Sequence, residues 1–321
     1  MGRMTEEQSS QGRPGSYVQD SYERKARYIE TRITKDGRDG YAVEPGRYRL
    51  AVSRACPWAH RTILTRKLLG LEDVLSMAVA GPVHDEDSWT FDLDPGGVDP
   101  VLDIPKLKDA YDARPDGYPE SGVTVPAIVD TRTRMVVTND FDQIIQDFVT
   151  EWDDHHRPDA PDLWPEHLRD EIAEVNELVY HDLNNGVYKC GFAGKQEAYE
   201  KAYDALWARM DWLEERLSGQ RYLVGDQLTL ADVRLWPTLV RFDAAYHGHF
   251  KCNRHKLTEM PALWAYARDL WQTWDFGSTV NFDHIKAHYY ATHLDINPTG
   301  VVPKGPDTSG WEEPAARESL G

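Results

Sequence analysis

The stretch Ser53-Arg54-Ala55-Cys56-Pro57-Trp58-Ala59-His60-Arg61 sets a single thiol where an extended, β-branched run gives way to helical spacing. Proline is tolerated in the first turn of a helix, where its missing N–H would have had no partner, so Cys56 is expected at the N-cap. There the N–H groups of Trp58 and Ala59, with the positive end of the helix dipole, favour a thiolate. The Cys56 pKa is therefore expected below the usual value of about 8.5. Ala59 stands where a second cysteine would complete a C-x-x-C dithiol. A lone Cys56 instead forms mixed disulfides with an external thiol, the chemistry of a monothiol transferase or reductase. Cys190 and Cys252 lack this context and are expected to be structural.

Other residue types with chemical potential lie further along. Val123-Thr124-Val125-Pro126-Ala127 reads as a strand interrupted by proline, which a cis Val125–Pro126 bond would accommodate. Such a bond would turn the N–H and C=O of Val125 outward to pair with an extended, peptide-like ligand. Asn139-Asp140 reads as a helix cap, and Asp140 as an anchor for a ligand ammonium or, through its N–H groups, a carboxylate. The connection from Gly81 to Asp103 is long for an ordinary loop and carries Trp89 and Phe91, which either cover Cys56 or pin the loop to the core. His284 and His288, four apart on an expected helix, raise a zinc site with His247, His249, His255 and His293. No carboxylate or cysteine pattern with ligand spacing joins them, so no metal is expected.

The elements that must position these groups fall into two regimes. Strand signals at Arg47–Val52, Val74–Val79, Gly122–Val129 and Met135–Thr138, with a helix after Cys56 and another after Asp140, give the order of a thioredoxin-like domain. The first helix is expected to present an apolar face at the helical spacing of Ile63, Leu64, Lys67, Leu68 and Leu71. Beyond residue 165 strand signals stop, and helices are expected over Glu166–Val187, Gln196–Leu217, Leu230–Tyr246 and Pro261–Trp274. Leu228-Thr229-Leu230-Ala231-Asp232 is a capping box, and Pro237 predicts a kink. The fold class is thus α/β plus all-α. Its divisions are an N-terminal arm (1–40), a thioredoxin-like domain (41–150), a linker (151–165), a helical domain (166–295) and a tail (296–321).

Composition narrows the function. The 321 residues carry a formal charge of −18, which repels nucleic acid and anionic membranes, so small molecules are the expected partners. Three cysteines, no apolar run long enough to span a membrane and no apolar leader point to the reducing cytoplasm.

CPWAHR (56–61), VTVPAIVD (123–130), NNGVYKCGFA (184–193), RYLVGDQLTLADVRLWPTLVRFDAAYHGHFKCN (221–253) and NFDHIK-HYY-THLDINPTG (281–300) together resemble the xi class of glutathione transferases, the glutathionyl-hydroquinone reductases. The resemblance covers roughly residues 40 to 305. It implies that the cysteine attacks the sulfur of a glutathionyl-hydroquinone and releases the hydroquinone, and that a second glutathione frees the mixed disulfide. It implies glutathione or another low-molecular-weight thiol as cosubstrate, held by Trp58, Trp89, the Val125 backbone beside Pro126, the helix start at Asp140 and Phe141, and Lys106. It also implies Tyr188 with Tyr289 or Tyr290 around the aromatic ring, and a homodimer. A phenol there stacks on the quinol and donates to a developing phenolate. The family usually has Glu-Ser where this chain has Asp140-Phe141, and Arg where it has Lys106. The competing readings are a conjugating or omega-like thiol transferase and a non-catalytic binding protein of the same fold.

Overall fold

Alternation in the first part of the chain becomes a four-stranded sheet in the computed structural model, which describes residues 17–22, 28–85, 87–118 and 122–320. Strand β1 (Tyr48–Ser53) pairs in parallel with β2 (Ser76–Ala80) and antiparallel with β3 (Ala127–Asp130), which pairs antiparallel with β4 (Met135–Thr138). The order β2-β1-β3-β4 leaves β1 central, and all six of its residues are buried. The expected strand from Gly122 shortens to Ala127–Asp130, because the Val125–Pro126 bond is cis and the chain turns there before joining the sheet.

Helix α1 (Pro57–Leu69) departs from the expected one-sided apolar face. It is buried almost all round, His60, Arg61, Thr62 and Thr65 included. The reason is its place between α3 (Phe141–Thr150) on one side and α7 (Leu230–Arg241) on the other, a core position that leaves only Arg66 and Lys67 partly exposed. Its buried hydroxyls and guanidinium find partners: Thr62 and Thr65 donate to the carbonyls of Ala59 and Arg61 at 2.8 Å, and Arg61 reaches Asp142 and Asn184. The helix stops at Gly70, whose φ of 73° suits glycine and whose Cβ would meet the Arg157 side chain at 2.7 Å. Leu71 falls beyond this stop, in a separate short turn.

The long loop after β2 is tied down by a buried ion pair. Arg49 on β1 donates to Asp99 at 2.6 Å, while the other Asp99 oxygen accepts from the N–H groups of Val101 and Leu102. The loop leads to α2 (Leu107–Asp112).

The helical part comprises α4 (Arg169–Val179), α5 (Gly186–Gly191), α6 (Gln196–Gly219), α7, α8 (Pro261–Thr273) and α9 (Phe282–Thr292). Two expected helices are interrupted by wide π turns, at Tyr180–Asn184 and Phe242–Tyr246. The capping box is present: the Thr229 side chain accepts from Ala231 N–H at 3.3 Å and the Asp232 carboxylate from Thr229 N–H at 2.8 Å. Asp232 also accepts from Leu223 N–H and the Tyr266 hydroxyl. The tail returns to this domain through Trp311, which packs on Trp264 and Trp271, and Arg317, which donates to the carbonyls of Gln220 and Arg221. At the other end, Gln19 exchanges backbone hydrogen bonds with Phe192 and Gly194, while Ile29 and Ile33 are buried in the core. Residues 1–16 of the expected arm lie outside the described residues.

Asp232→Ala strands two buried N–H groups and a phenol, and is expected to cost about 3 kcal/mol or more of stability. Thr229→Ala loses one cap acceptor and is expected to cost about 1 kcal/mol. Urea unfolding of the two variants side by side checks the order, and equal losses would contradict this account of Asp232.

Candidate active site

Cys56 is the N-cap residue of α1, with extended backbone (φ −77°, ψ 122°) and proline in the first turn. Its carbonyl accepts from His60 N–H at 3.0 Å and so starts the helical ladder. Its side chain makes no capping bond to the helix start. The thiol lies 3.4 Å from the Val125 carbonyl oxygen instead, across the cis Val125–Pro126 turn. What acts on the sulfur from the helix is the field of its N-terminus. Among the described residues no protein acceptor takes the Val125 N–H.

Around this turn the structure gathers Trp58, Phe141 and Asp140. Trp58 and Phe141 pack at 4.5 Å between ring centroids, and the Arg61 guanidinium lies over the Trp58 ring at 4.6 Å. Phe141 is only 2% exposed, so its ring is part of the packing under Trp58. Asp140 caps α3, accepting from Asp142 and Gln143 N–H at 3.2 Å. Trp89 is buried in a stack on His288 at 5.2 Å, edge to His84 at 5.0 Å. Lys106 caps the start of α2 and forms an ion pair with Asp85 at 2.5 Å.

The tyrosines separate. Tyr188 on α5 and Tyr289 on α9 share a hydroxyl hydrogen bond of 2.6 Å, and Tyr246 joins Tyr289 at 2.7 Å. Tyr290, one residue further round α9, packs against His249 at 4.5 Å with its hydroxyl towards Gly248. It stands apart from the trio. Tyr246 was not singled out from the sequence. It belongs to the π turn Phe242–Tyr246, whose extra residue per turn leaves no mark in apolar spacing. A chain of three hydroxyls held by two bonds uses two of its three protons, which leaves the third available to an acceptor outside the chain. Burial raises Tyr246 and lifts Tyr289 well above the usual phenol range, so both remain protonated donors. A charge on Cys56 is near enough to raise Tyr246 further.

Aromatic packing closes the ring of contacts from thiol to phenols. Tyr188 lies 6.4 Å from Trp58, 5.3 Å from Phe250 and 6.0 Å from Tyr22, with which it stacks. Gly191 admits Phe250, whose ring would sit 2.2 Å from a Cβ there. Tyr17 packs on His293 and reaches His84 Nε2 at 3.1 Å.

The histidines beside the site are held neutral. Burial pushes His249 down to about 4 and His288 to about 3, and holds His60 and His293 well below their ordinary value. His249 Nε2 and His293 Nδ1 share one hydrogen bond at 3.3 Å, and His288 Nδ1 donates to the Pro82 carbonyl. Among the described residues no three His, Cys, Asp or Glu side chains are grouped to hold a metal ion.

The molecule was compared with known proteins. The model of the glutathione S-transferase N-terminal domain matches residues 55–151, and that of the C-terminal domain residues 196–269. The glutathionyl-hydroquinone reductase YqjG of Escherichia coli (strain K12) is 40% identical over 304 residues, 92% of each chain. Its glutathione-bound structure superposes with a TM-score of 0.85, covering 90% of this chain and 96% of that one. A glutathione transferase structure from Gordonia bronchialis is 66% identical over 91% of both chains, with a TM-score of 0.90. A xi class enzyme from Natrialba magadii is 41% identical, with a TM-score of 0.86 over 92% of this chain and 90% of that one.

The depressed histidines have a defined effect on stability. Below about 6.5 the unfolded chain binds protons that these folded histidines refuse, so stability is full above that pH and falls as pH drops towards 4 and 3. Each such histidine contributes a loss of roughly 1.4 kcal/mol per pH unit in that window. The buried carboxyls of Asp147 and Asp232, raised by burial, act in the opposite sense. The urea midpoint is expected to fall between pH 7 and pH 5, and His288→Asn to flatten that fall by about one proton. A midpoint indifferent to pH in this range would contradict the assignment.

Proposed function

The chain belongs to the glutathione S-transferase family, in its xi class, and on that premise we propose that it is a glutathionyl-hydroquinone reductase with Cys56 as nucleophile and glutathione as the thiol. The observation that carries this reading is the lone Cys56 at the start of α1, facing the Val125 carbonyl and adjoined by the Tyr188–Tyr289–Tyr246 hydroxyl chain.

In this reading the Cys56 thiolate attacks the sulfur of the conjugate. An S–S bond forms, the aryl C–S bond breaks, and its electron pair leaves with the ring. One proton returns the ring to the hydroquinone. A second glutathione, as thiolate, attacks the mixed disulfide, releases glutathione disulfide and restores Cys56, so the hydroquinone is the reduced product. The open Val125 N–H supports strand-like pairing with the peptide portion of glutathione, beside Pro126 and Trp89. Asp140 and the start of α3 suit its α-ammonium and carboxylate groups, with Trp58 and Phe141 forming the packed floor. Lys106 suits its other carboxylate, at the cost of its exposed pair with Asp85. The phenol trio suits the ring oxygen, where charge passes in the transition state. Tyr290 has the weaker claim, since its ring faces His249. Three unbridged thiols fit a reducing cytoplasm, and the homodimer rests on family resemblance.

Cys56→Ser is expected to abolish turnover of a glutathionyl-hydroquinone, while Cys190→Ser and Cys252→Ser retain most of it. Wild type given conjugate without free thiol should gain the mass of one glutathione on Cys56. An unmodified protein after product release would favour direct conjugation chemistry instead. Tyr188→Phe is expected to lower kcat more than it raises KM, because the hydroxyl bond strengthens as charge grows on the leaving ring. Weaker binding at unchanged kcat would reduce Tyr188 to a stacking surface.

A further inference from the structure

Arg241, the last residue of α7, is fully buried and reaches across to the turn that ends in Cys56. Its Nε donates to the Ala55 carbonyl at 2.9 Å and its Nη2 to the Arg54 carbonyl at 2.9 Å. Its Nη1 donates to the Pro237 carbonyl at 2.8 Å and meets His60 Nδ1 at 3.0 Å. A guanidinium only donates, so Nδ1 is the accepting nitrogen of His60 and Nε2 carries the proton. That proton goes to Thr279 Oγ1 at 2.6 Å, and Thr279 donates in turn to the Phe276 carbonyl at 2.6 Å. The direction of every bond in this chain is fixed, and it holds His60 neutral.

The consequence is electrostatic. Burying a guanidinium is costly without a counter-charge, yet among the described residues Arg241 pairs with no carboxylate. Its partners are three carbonyl dipoles and a neutral imidazole, so a positive charge remains in the interior. The groups that share this surrounding are Arg54, whose own guanidinium donates to the Thr279 carbonyl, His60, and Tyr246. None of these supplies an anion at neutral pH. The Arg241 charge is felt at Tyr246 and Tyr289, where it opposes the upward push of burial.

We propose that Arg241 is a positioning residue for Cys56, clamping the two carbonyls that precede it and holding an unneutralised positive charge beside the thiolate. The inference rests on the reading of Cys56 as the nucleophile and deepens it. The helix start supplies part of the field the sulfur feels. Arg241 adds a full charge from the other domain, at a point where negative charge sits on the sulfur before attack. Because the clamp joins α7 to the α1 turn, the thiol is fully activated only when the two domains are docked.

The test is the pH profile of Cys56 alkylation by iodoacetamide, located by mass spectrometry, with kcat/KM for a glutathionyl-hydroquinone. Arg241→Gln is expected to move the alkylation midpoint up by about one pH unit, slowing alkylation about ten-fold on the acid side of the profile. Arg241→Lys keeps the charge and is expected to hold the midpoint nearer to wild type. It should still lose about ten-fold in kcat/KM, mainly in kcat, since an ammonium cannot bridge the same carbonyls in a planar fork. Thr229→Ala, which loosens α7 at the end away from Arg241, should leave the midpoint in place. A folded Arg241→Gln protein with the wild-type profile overturns the proposal. If that variant does not fold, Arg241→Lys decides: unchanged kcat/KM overturns the proposal, and the ten-fold loss supports it. Slow alkylation of Cys56 in the wild type at neutral pH would overturn the nucleophile reading itself, and is read before any variant is made.

Discussion

Helix α1 has almost no solvent side, and the arrangement of the two domains follows from that. A buried polar side chain left without a partner costs about 1–3 kcal/mol, and α1 buries His60, Arg61, Thr62 and Thr65. Two are satisfied within the helix by back-bonding to its own carbonyls. The other two must be satisfied from outside. Arg61 reaches Asp142 on α3 and Asn184 in the first π turn, while His60 is met by Thr279 and by α7. The helical domain therefore docks against the helix that Cys56 caps in a register set by hydrogen bonds, with apolar packing filling the space between. A site built at the open end of such a helix inherits its rigidity.

The parts legible in the sequence are those whose physics is local. The Cys-Pro turn, the Asp140 cap and the Thr229–Asp232 box each depend on residues within about four positions, and each appears where its residue types demand. The proline in the third strand was also readable, although the strand begins only after it. Illegible were the features made by residues far apart. Burial of α1 on both sides needs the helical domain, which the spacing of apolar residues within the helix does not show. Tyr246 and Arg241 lie on consecutive turns of one segment, but only the π geometry between them and the docking of α9 reveal their neighbours. Phe141 could be located at the start of α3, yet only its packing on Trp58 shows that its ring belongs to the interior.

Around the thiol the interior is polar in composition but nearly neutral in charge. Phenols are kept protonated and imidazoles deprotonated by the same cause, burial. A region of neutral dipoles screens poorly, so the few full charges within it act over longer distances than they would in water. Such an environment suits a reaction in which negative charge moves from a sulfur to a ring oxygen, because the dipoles are already oriented before the charge arrives.

The arm from Tyr17 to Tyr22 reaches the aromatic site directly: Tyr22 stacks on Tyr188, the Tyr17 N–H donates to Asp295 at 2.6 Å, and Gln19 pairs with Phe192 and Gly194. Residues separated by more than 270 positions thus share one wall. On the ribosome Tyr17–Tyr22 emerge before Tyr188, and Tyr188 before Asp295. The thioredoxin-like part can bury its own sheet early, but its thiol then waits beside an unfinished aromatic wall. Completion of that wall consequently waits for the helices that carry Tyr188 and Tyr289 to pass through the exit tunnel.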